Sequence, residues 1–425
     1  MKNLEKLLWL LAIVGLVVGG YGLYDRFAFG HLNANYGSYV PWGLWVAAYS
    51  YLMGLSAGAF LLSTLFYVFG SKKLEKVGKL ALFTALVTLV LALVSITIDL
   101  GRPERILELF TRTRTSSVMG WMIWLYSIYF VLLLVELWFA LRADLIAWSQ
   151  RSGFAGSLAR FLSFGKRDVT DAALANDRRA LKILGALGFV LAVALSGGGG
   201  ALFGAIGARP YWNSGLTPIL FLAGGLLSGS ALLTFIALAF ADHQETVVLL
   251  GKIVLGLLAL DVLLEWAEMS IGLYASVPAE ASSLRIVLFG PYAWVFWGFH
   301  VALGIVLPAL ILILRGKSPV WAAFAGLLIA FTFITVRLNI LIPGLAVPEL
   351  EGLANAFGGP GLSFDYFPSL TEWLTEIGIV SAGLLAFLIG MRVLPIAPKP
   401  AVDAPTAGER LSAPARAQAS GSVGE

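Results

Sequence analysis

The sequence predicts an all-α integral membrane protein with about ten transmembrane helices, arranged as two four-helix bundles (helices 2–5 and 6–9) flanked by helices 1 and 10. Three observations carry that prediction. The chain of 425 residues is 59% hydrophobic and only 13% charged, with a mean hydropathy of +0.87, whereas soluble domains carry about 25% charge. Ten apolar runs approach the ~20 residues needed to cross a ~30 Å hydrocarbon core. Forty-seven glycines offer the small surfaces through which helices pack in lipid, where no hydrophobic force drives one helix onto another.

Span 1 is expected over residues 7–24. It follows Lys2 and Lys6 like a signal sequence but lacks a small-x-small cleavage pattern, so it reads as a retained helix. Span 2 (41–70) opens among Tyr36, Tyr39, Trp42, Trp45 and Tyr49. An interfacial aromatic belt accounts for the first of these, but Tyr49, some two turns in, needs a partner for its hydroxyl. Span 3 (80–100) stops at Asp99-Leu-Gly-Arg-Pro103, where Pro103 forbids continuation. Span 4 (118–141) leads into a loop, 142–182, with eight basic and four acidic residues, suited to anionic headgroups. Span 5 (183–207) holds Ser196-Gly-Gly-Gly-Gly200, which reads as a close-packing surface or else as a loosened segment beside a ligand, and is followed by Arg209-Pro-Tyr-Trp-Asn213. Spans 6 (217–240), 7 (246–274), 8 (290–314) and 9 (319–342) precede an outer loop, 343–371, that is long for an idle connector. Ser369-Leu-Thr-Glu372 reads as a capping box opening span 10 (372–394). The Pro-, Ala-, Ser- and Gly-rich segment 395–425 is expected to be a disordered cytoplasmic tail. The domain reading is one transmembrane unit, 1–394, with bundles at about 41–207 and 217–342, followed by that tail.

Charge sets the expected orientation. With an even number of spans the termini share a side. The loops on that side collect 20 Lys and Arg residues against 7 on the other: Arg26, Arg102, Arg105, Arg112, Arg114, Arg209 and Arg285. Both termini are therefore expected in the cytoplasm, with the chain crossing the membrane repeatedly. There is also an internal echo. Gly54-Leu-Ser-Ala-Gly58 in span 2 resembles Gly225-Leu-Leu-Ser-Gly229 in span 6 at an offset of 171. Spans 2–5 and 6–9 therefore read as parallel halves, or the echo is a packing motif met twice in a glycine-rich chain.

Several residues are of the types that carry chemistry. Asp99 and Arg102 face the outer interface, either as a local ion pair at a helix stop or as the rim of a site for an amphipathic ligand. In that second role Asp99 accepts a proton and Arg102 fixes a carbonyl. Asp261, Glu265 and Glu268 fall within a ~60° arc of span 7. They form a stripe that must face the interior, because ionised carboxylates in lipid cost several kcal/mol. Arg337 in span 9 and His300 in span 8 lie at similar depth. Either Glu268 and Arg337 form a buried pair, or these five residues outline a proton path. The chain has no cysteine, which excludes thiolate-bound iron–sulfur clusters and disulfides. Its three histidines, His31, His243 and His300, argue against a bis-histidine haem.

The ordered strings Pro41-Trp-Gly-Leu-Trp45, Gly54-Leu-Ser-Ala-Gly58, Ser95-Ile-Thr-Ile-Asp99-Leu-Gly-Arg-Pro103, Ser117-Val-Met-Gly-Trp121 and Arg209-Pro-Tyr-Trp-Asn213 resemble the polysulfide-reductase membrane-anchor (NrfD-like) family. Phe367-Pro-Ser-Leu-Thr-Glu-Trp373 and Arg392-Val-Leu-Pro395 resemble its ten-helix branch, which includes hydrogenase-2-type membrane subunits. The resemblance implies a subunit that reacts with menaquinone or ubiquinone as a diffusible substrate and holds no haem or iron–sulfur cluster. It also implies a ferredoxin-like [4Fe-4S] partner on the outer, periplasmic face and, through it, a catalytic molybdopterin or hydrogenase subunit or a multihaem cytochrome. By motif match, Tyr49, Asp99 and Arg102 are the expected quinone contacts, with Trp42 and Trp212 as walls. Some members carry His or Asp at the position of Tyr49, and Tyr at that of Gly198. Nucleic acid is not an expected partner. A secondary transporter, which also uses intramembrane carboxylates and repeated bundles, is the competing class.

Overall fold

The computed structural model describes residues 2–241, 244–275 and 277–396. His243 and the segment from 397 onward, expected to be disordered, lie outside the described residues. Among the described residues ten helices are long and apolar enough to cross a membrane: Asn3–Phe29, Leu44–Tyr67, Val77–Asp99, Val118–Trp148, Asp171–Gly204, Thr217–Phe240, Gln244–Tyr274, Val295–Arg315, Pro319–Ala346 and Leu370–Val393. They are called spans 1 to 10 in that order.

Several bounds differ from the sequence reading for local reasons. Span 4 runs on to Trp148 and span 5 begins at Asp171, so much of the expected 142–182 loop is helix. The Thr170 hydroxyl accepts from the Ala173 N–H and caps span 5. Arg142 on span 4 grips Asp177 on span 5, Nη2 to Oδ2 at 2.6 Å, and an amphipathic helix, Phe154–Leu162, fills the turn between them. A further helix, Pro278–Phe289, precedes span 8. The opening part of span 8, Val295–Val306, is wound as a π-helix. Span 9 is interrupted at Phe333. Around that break the Thr332 and Thr335 hydroxyls donate to the Leu328 and Thr332 carbonyls, and the Tyr51 hydroxyl of span 2 donates to the Ala330 carbonyl. Hydroxyls that compete for helix carbonyls in this way bend the ladder. The capping box forms as expected between Ser369 and Glu372.

Spans 2 and 6 occupy the centre. Span 2 packs on spans 3, 5, 6 and 9, and span 6 packs on spans 2, 5, 7 and 9, while span 1 lies along span 10. The central crossing is made by the two echoed segments themselves. A Cβ on Gly58 would fall 2.1 Å from the Gly225 carbonyl oxygen, and one on Gly229 would fall 2.5 Å from the Ala59 nitrogen. Backbone therefore touches backbone, as close small-residue packing in lipid requires. On the outward faces, Val17, Leu314 and Phe331 are 74%, 73% and 72% exposed, which suits side chains that face hydrocarbon.

Candidate functional site

Two polar regions sit inside this frame. The first lies at the ends of spans 1, 2, 3 and 10 on the side away from the termini. Span 3 stops because Leu100 turns extended, and Asp99 is left with a buried Oδ1 that has no hydrogen-bond partner. Arg26, from span 1, donates from Nε to the Ile98 carbonyl and from Nη2 to the Leu100 carbonyl, both at 2.8 Å. It thereby satisfies helix-end carbonyls on either side of Asp99. The Tyr36 hydroxyl bonds His31 Nδ1, and the two rings stack edgewise with Trp45. Glu372 accepts from the Asn35 N–H at 3.0 Å and from the Tyr366 hydroxyl, tying span 10 to this loop. Burial, followed by the nearby charges of Asp99 and Glu372, holds the Tyr36 hydroxyl well above its ordinary titration range. Burial, followed by the charge of Arg26, pulls His31 below 6.5.

The sequence reading expected an ion pair between Asp99 and Arg102 as one alternative. None forms among the described residues: Arg102 is exposed, and the cation whose charge acts on Asp99 is Arg26. Trp42 and Trp212 come together as a stack, with centroids 6.0 Å apart and planes 15° apart, closed edgewise by Phe203. Trp212 is fixed by donating Nε1 to the Ile340 carbonyl at 2.7 Å. A Cβ on Gly344 would meet that nitrogen at 2.1 Å, so this glycine is what lets the indole in. Tyr49 has the partner its depth demands, since the Tyr126 hydroxyl donates to it at 2.7 Å. Met122 fills the space facing Gly198, its sulfur 2.9 Å from where a Cβ would stand. No hydrogen bond or ion pair among the described residues joins Tyr49, the tryptophan stack and Asp99 to one another.

The second region is a cavity between spans 7, 8 and 9, lined by Asp261, Glu265, Glu268, His300, Tyr211 and Asn339 among others. The three carboxylates thus share one interior face, as their spacing predicts. The cavity has about 60 Å³ of room for water centres, enough for several waters by the ~10–15 Å³ each requires. His300, carried on the π-wound segment, bonds Glu265 from Nε2 to Oε2 at 2.8 Å. Asp261 Oδ2, His300 Nδ1, Arg337 Nη1 and Asn339 Nδ2 are buried without partners. The expected Glu268 to Arg337 pair is absent among the described residues. Glu268 instead accepts from the Ser214 hydroxyl at 3.0 Å, because the break in span 9 turns Arg337 toward the central crossing. There it donates to the Phe221 carbonyl at 3.1 Å and lies 3.8 Å over the Phe221 ring. A Cβ on Gly224 would stand 3.4 Å from Asp261 Oδ1 and 3.6 Å from Arg337 Nη2, so Asp261 is the carboxylate that shares Arg337's surroundings. A smaller cavity lined by Ser50, Phe203, Phe221 and Arg337 lies between Arg337 and the aromatic stack. Among the described residues no group of three or more His, Asp or Glu side chains is placed to hold a metal ion.

Sequence reasoning did not foresee that Arg26 at the end of span 1, with His31 and Tyr36 in the loop that follows, would gather around Asp99, because no periodicity reveals the path of that loop. It also passed over Glu136 in span 4 and Glu376 in span 10, both buried, although a carboxylate in an apolar run was signal enough.

Comparison with known proteins covers most of this frame. The family described as "Polysulphide reductase, NrfD" matches residues 32–349. The chain is 34% identical to one of the selenate reductase subunits of Mesobacillus selenatarsenatis over 92% of this chain and 95% of the other. It is 28% identical to the Hdr-like menaquinol oxidoreductase integral membrane subunit of Archaeoglobus fulgidus over 86% and 87%. It is 22% identical to the menaquinone reductase integral membrane subunit of Nitratidesulfovibrio vulgaris over 94% of each.

Proposed function

The chain belongs to the NrfD polysulphide reductase family, and on that premise we propose that it is the quinone-reactive membrane subunit of a prokaryotic respiratory oxidoreductase complex. It exchanges electrons between the quinone pool and an external iron–sulfur subunit. The relatives are by name a menaquinol oxidoreductase subunit, a menaquinone reductase subunit and one subunit of a selenate reductase. The observation that carries the reading to this chain is the outer end of spans 2, 3 and 5. Stacked indoles and a carboxyl oxygen with no partner lie at the helix ends there, the combination of apolar wall and polar handle that an amphipathic ring requires.

In this reading a head group rests on Trp42 and Trp212. Tyr49 and Asp99 supply the hydrogen-bond donor and proton acceptor, and Arg102 reaches in from the rim. Oxidising a quinol to a quinone sends two electrons to the partner and two protons to acceptors; reduction is the reverse. The external partner carries [4Fe-4S] clusters and docks on the face away from the termini, which the Lys and Arg distribution assigns to the periplasm. Asp261, Glu265, Glu268, His300 and Arg337, with water in their cavity, form the proton path, and the smaller cavity at Ser50 connects Arg337 toward the stack. The interrupted span 9 and π-wound span 8 would also suit a secondary transporter, but the family match favours redox work.

A photoreactive quinone analogue tests the site. Irradiation of the native complex is expected to label spans 2, 3 and 5 near Tyr49 and Asp99, with excess quinone protecting them. Labelling confined to other spans would overturn the assignment.

A further inference from the structure

Span 4 carries a carboxyl group that neither region uses. Glu136 has no exposed surface, and neither of its oxygens has a hydrogen-bond partner. The reason it fits is across the helix interface: Gly185 on span 5 has no side chain, and a Cβ there would stand 3.4 Å from Glu136 Oε1, 2.9 Å from Val68 Cγ2 and 3.9 Å from Tyr67 Cβ. Among the described residues no cationic side chain pairs with it, and the nearest ion pair on the helix, Arg142 with Asp177, is six residues on, ~9 Å at 1.5 Å per residue. An uncompensated ionised carboxylate at such a place costs several kcal/mol, and a Gln or Leu would avoid that cost. Toward the outer side, hydroxyls follow on the same interface. Tyr129, seven residues before Glu136, bonds the Ser56 carbonyl at 3.3 Å and lies 3.4 Å from its hydroxyl. Tyr126, one turn further out, bonds Tyr49.

We propose that Glu136 carries protons between the quinone pocket and the side of the membrane that bears the termini, in series with Tyr129 and Ser56 and then Tyr126 and Tyr49. This rests on the quinone reading. For a quinol, one of the two O–H protons released on oxidation passes to Tyr49 as the electrons leave for the external redox subunit. Each hydroxyl accepts one proton and gives one up, and water carries it between the two hydroxyl pairs and over the ~10 Å from Tyr129 to Glu136, whose carboxyl receives and then releases it inward; quinone reduction runs the same steps backward. Glu136 is distinct from the Asp261 to His300 cavity, so the two halves of the molecule would each hold a route.

The native complex in proteoliposomes tests this with two readouts. Glu136→Gln keeps shape and neutrality but cannot pass a proton along. It is expected to lower quinol turnover at least ~100-fold, the low end for a positioned proton carrier, at unchanged quinol KM, with Glu136→Asp recovering part of the loss. In wild type, redox-difference infrared spectra are expected to show a carboxyl band that shifts in D2O and vanishes in Glu136→Gln. Wild-type turnover in an assembled Glu136→Gln complex overturns the proposal. So does a wild-type spectrum without a carboxyl signal, a result that stands even where the variant fails to assemble. A wild-type complex inactive with any quinol overturns the quinone reading itself.

Discussion

Asp99 and Asp261 illustrate how much a single buried oxygen decides. Asp99 keeps Oδ1 buried and unpartnered beside an arginine engaged with helix-end carbonyls, so replacing it disturbs no hydrogen bond to that atom. Asp99→Asn is therefore expected to assemble normally and to lower quinol turnover by at least ~10-fold, below the usual range for a lost acid–base group. Turnover per assembled complex checks it. Asp261 and Glu268, about two turns apart on the same helical stripe, should respond differently. Asp261 shares the surroundings of the buried Arg337 without an ion pair to it among the described residues, and removing it takes a neighbouring negative charge away from a buried cation, at up to ~3–5 kcal/mol. Glu268 bonds only a serine hydroxyl among the contacts described. Thermal unfolding of the detergent-solubilised protein is expected to show Asp261→Ala strongly destabilised and Glu268→Gln close to wild type. His31 gives a pH dependence. Its native pKa is pulled below 6.5 by burial, so as pH falls through 6.5 the unfolded chain takes up a proton that the native loop refuses. Stability contributed there is present above 6.5 and is lost as pH falls toward the native pKa, and His31→Gln should flatten that part of a stability-against-pH curve.

At the scale of elements, the glycine echo is a crossing. Because a Cβ on Gly58 would fall 2.1 Å from a backbone carbonyl oxygen, no rotamer change relieves Gly58→Val, and spans 2 and 6 must part. The expected cost is ~1–3 kcal/mol from overpacking, read as a lower Tm and a lower yield of assembled complex, with Gly256→Val as a control because nothing lies within 4 Å of its Cβ position. The spans were legible in the sequence because lipid demands long apolar runs; Gly54, Gly58, Gly225 and Gly229 showed the echo for the same reason. The break at Phe333 and the π-wound segment at His300 were not legible. The break depends on which hydroxyl reaches which carbonyl, and Tyr51 acts on Ala330 from 279 residues away; the π-wound segment has no such cross-helix hydroxyl among the described contacts.

For the whole molecule, the sequence foresaw which interior side chains lie together more often than it foresaw what each one bonds. Trp42 and Trp212 meet, and Asp261, Glu265, Glu268 and His300 line one cavity, as side chains confined to the interior of a helix bundle must. Arg337 pairs differently because span 9 bends, and Arg102 stands apart from Asp99 because the chain turns extended at Leu100. Electron exchange between the quinone pool and an external redox partner through this chain is tested most directly in the reconstituted native complex, by following the optical redox state of the catalytic partner after adding quinol or quinone. A prompt change is expected in wild type, slowed at least ~10-fold by Asp99→Asn and lost when this subunit is omitted. A redox change that proceeds unchanged without this subunit rules the electron exchange out.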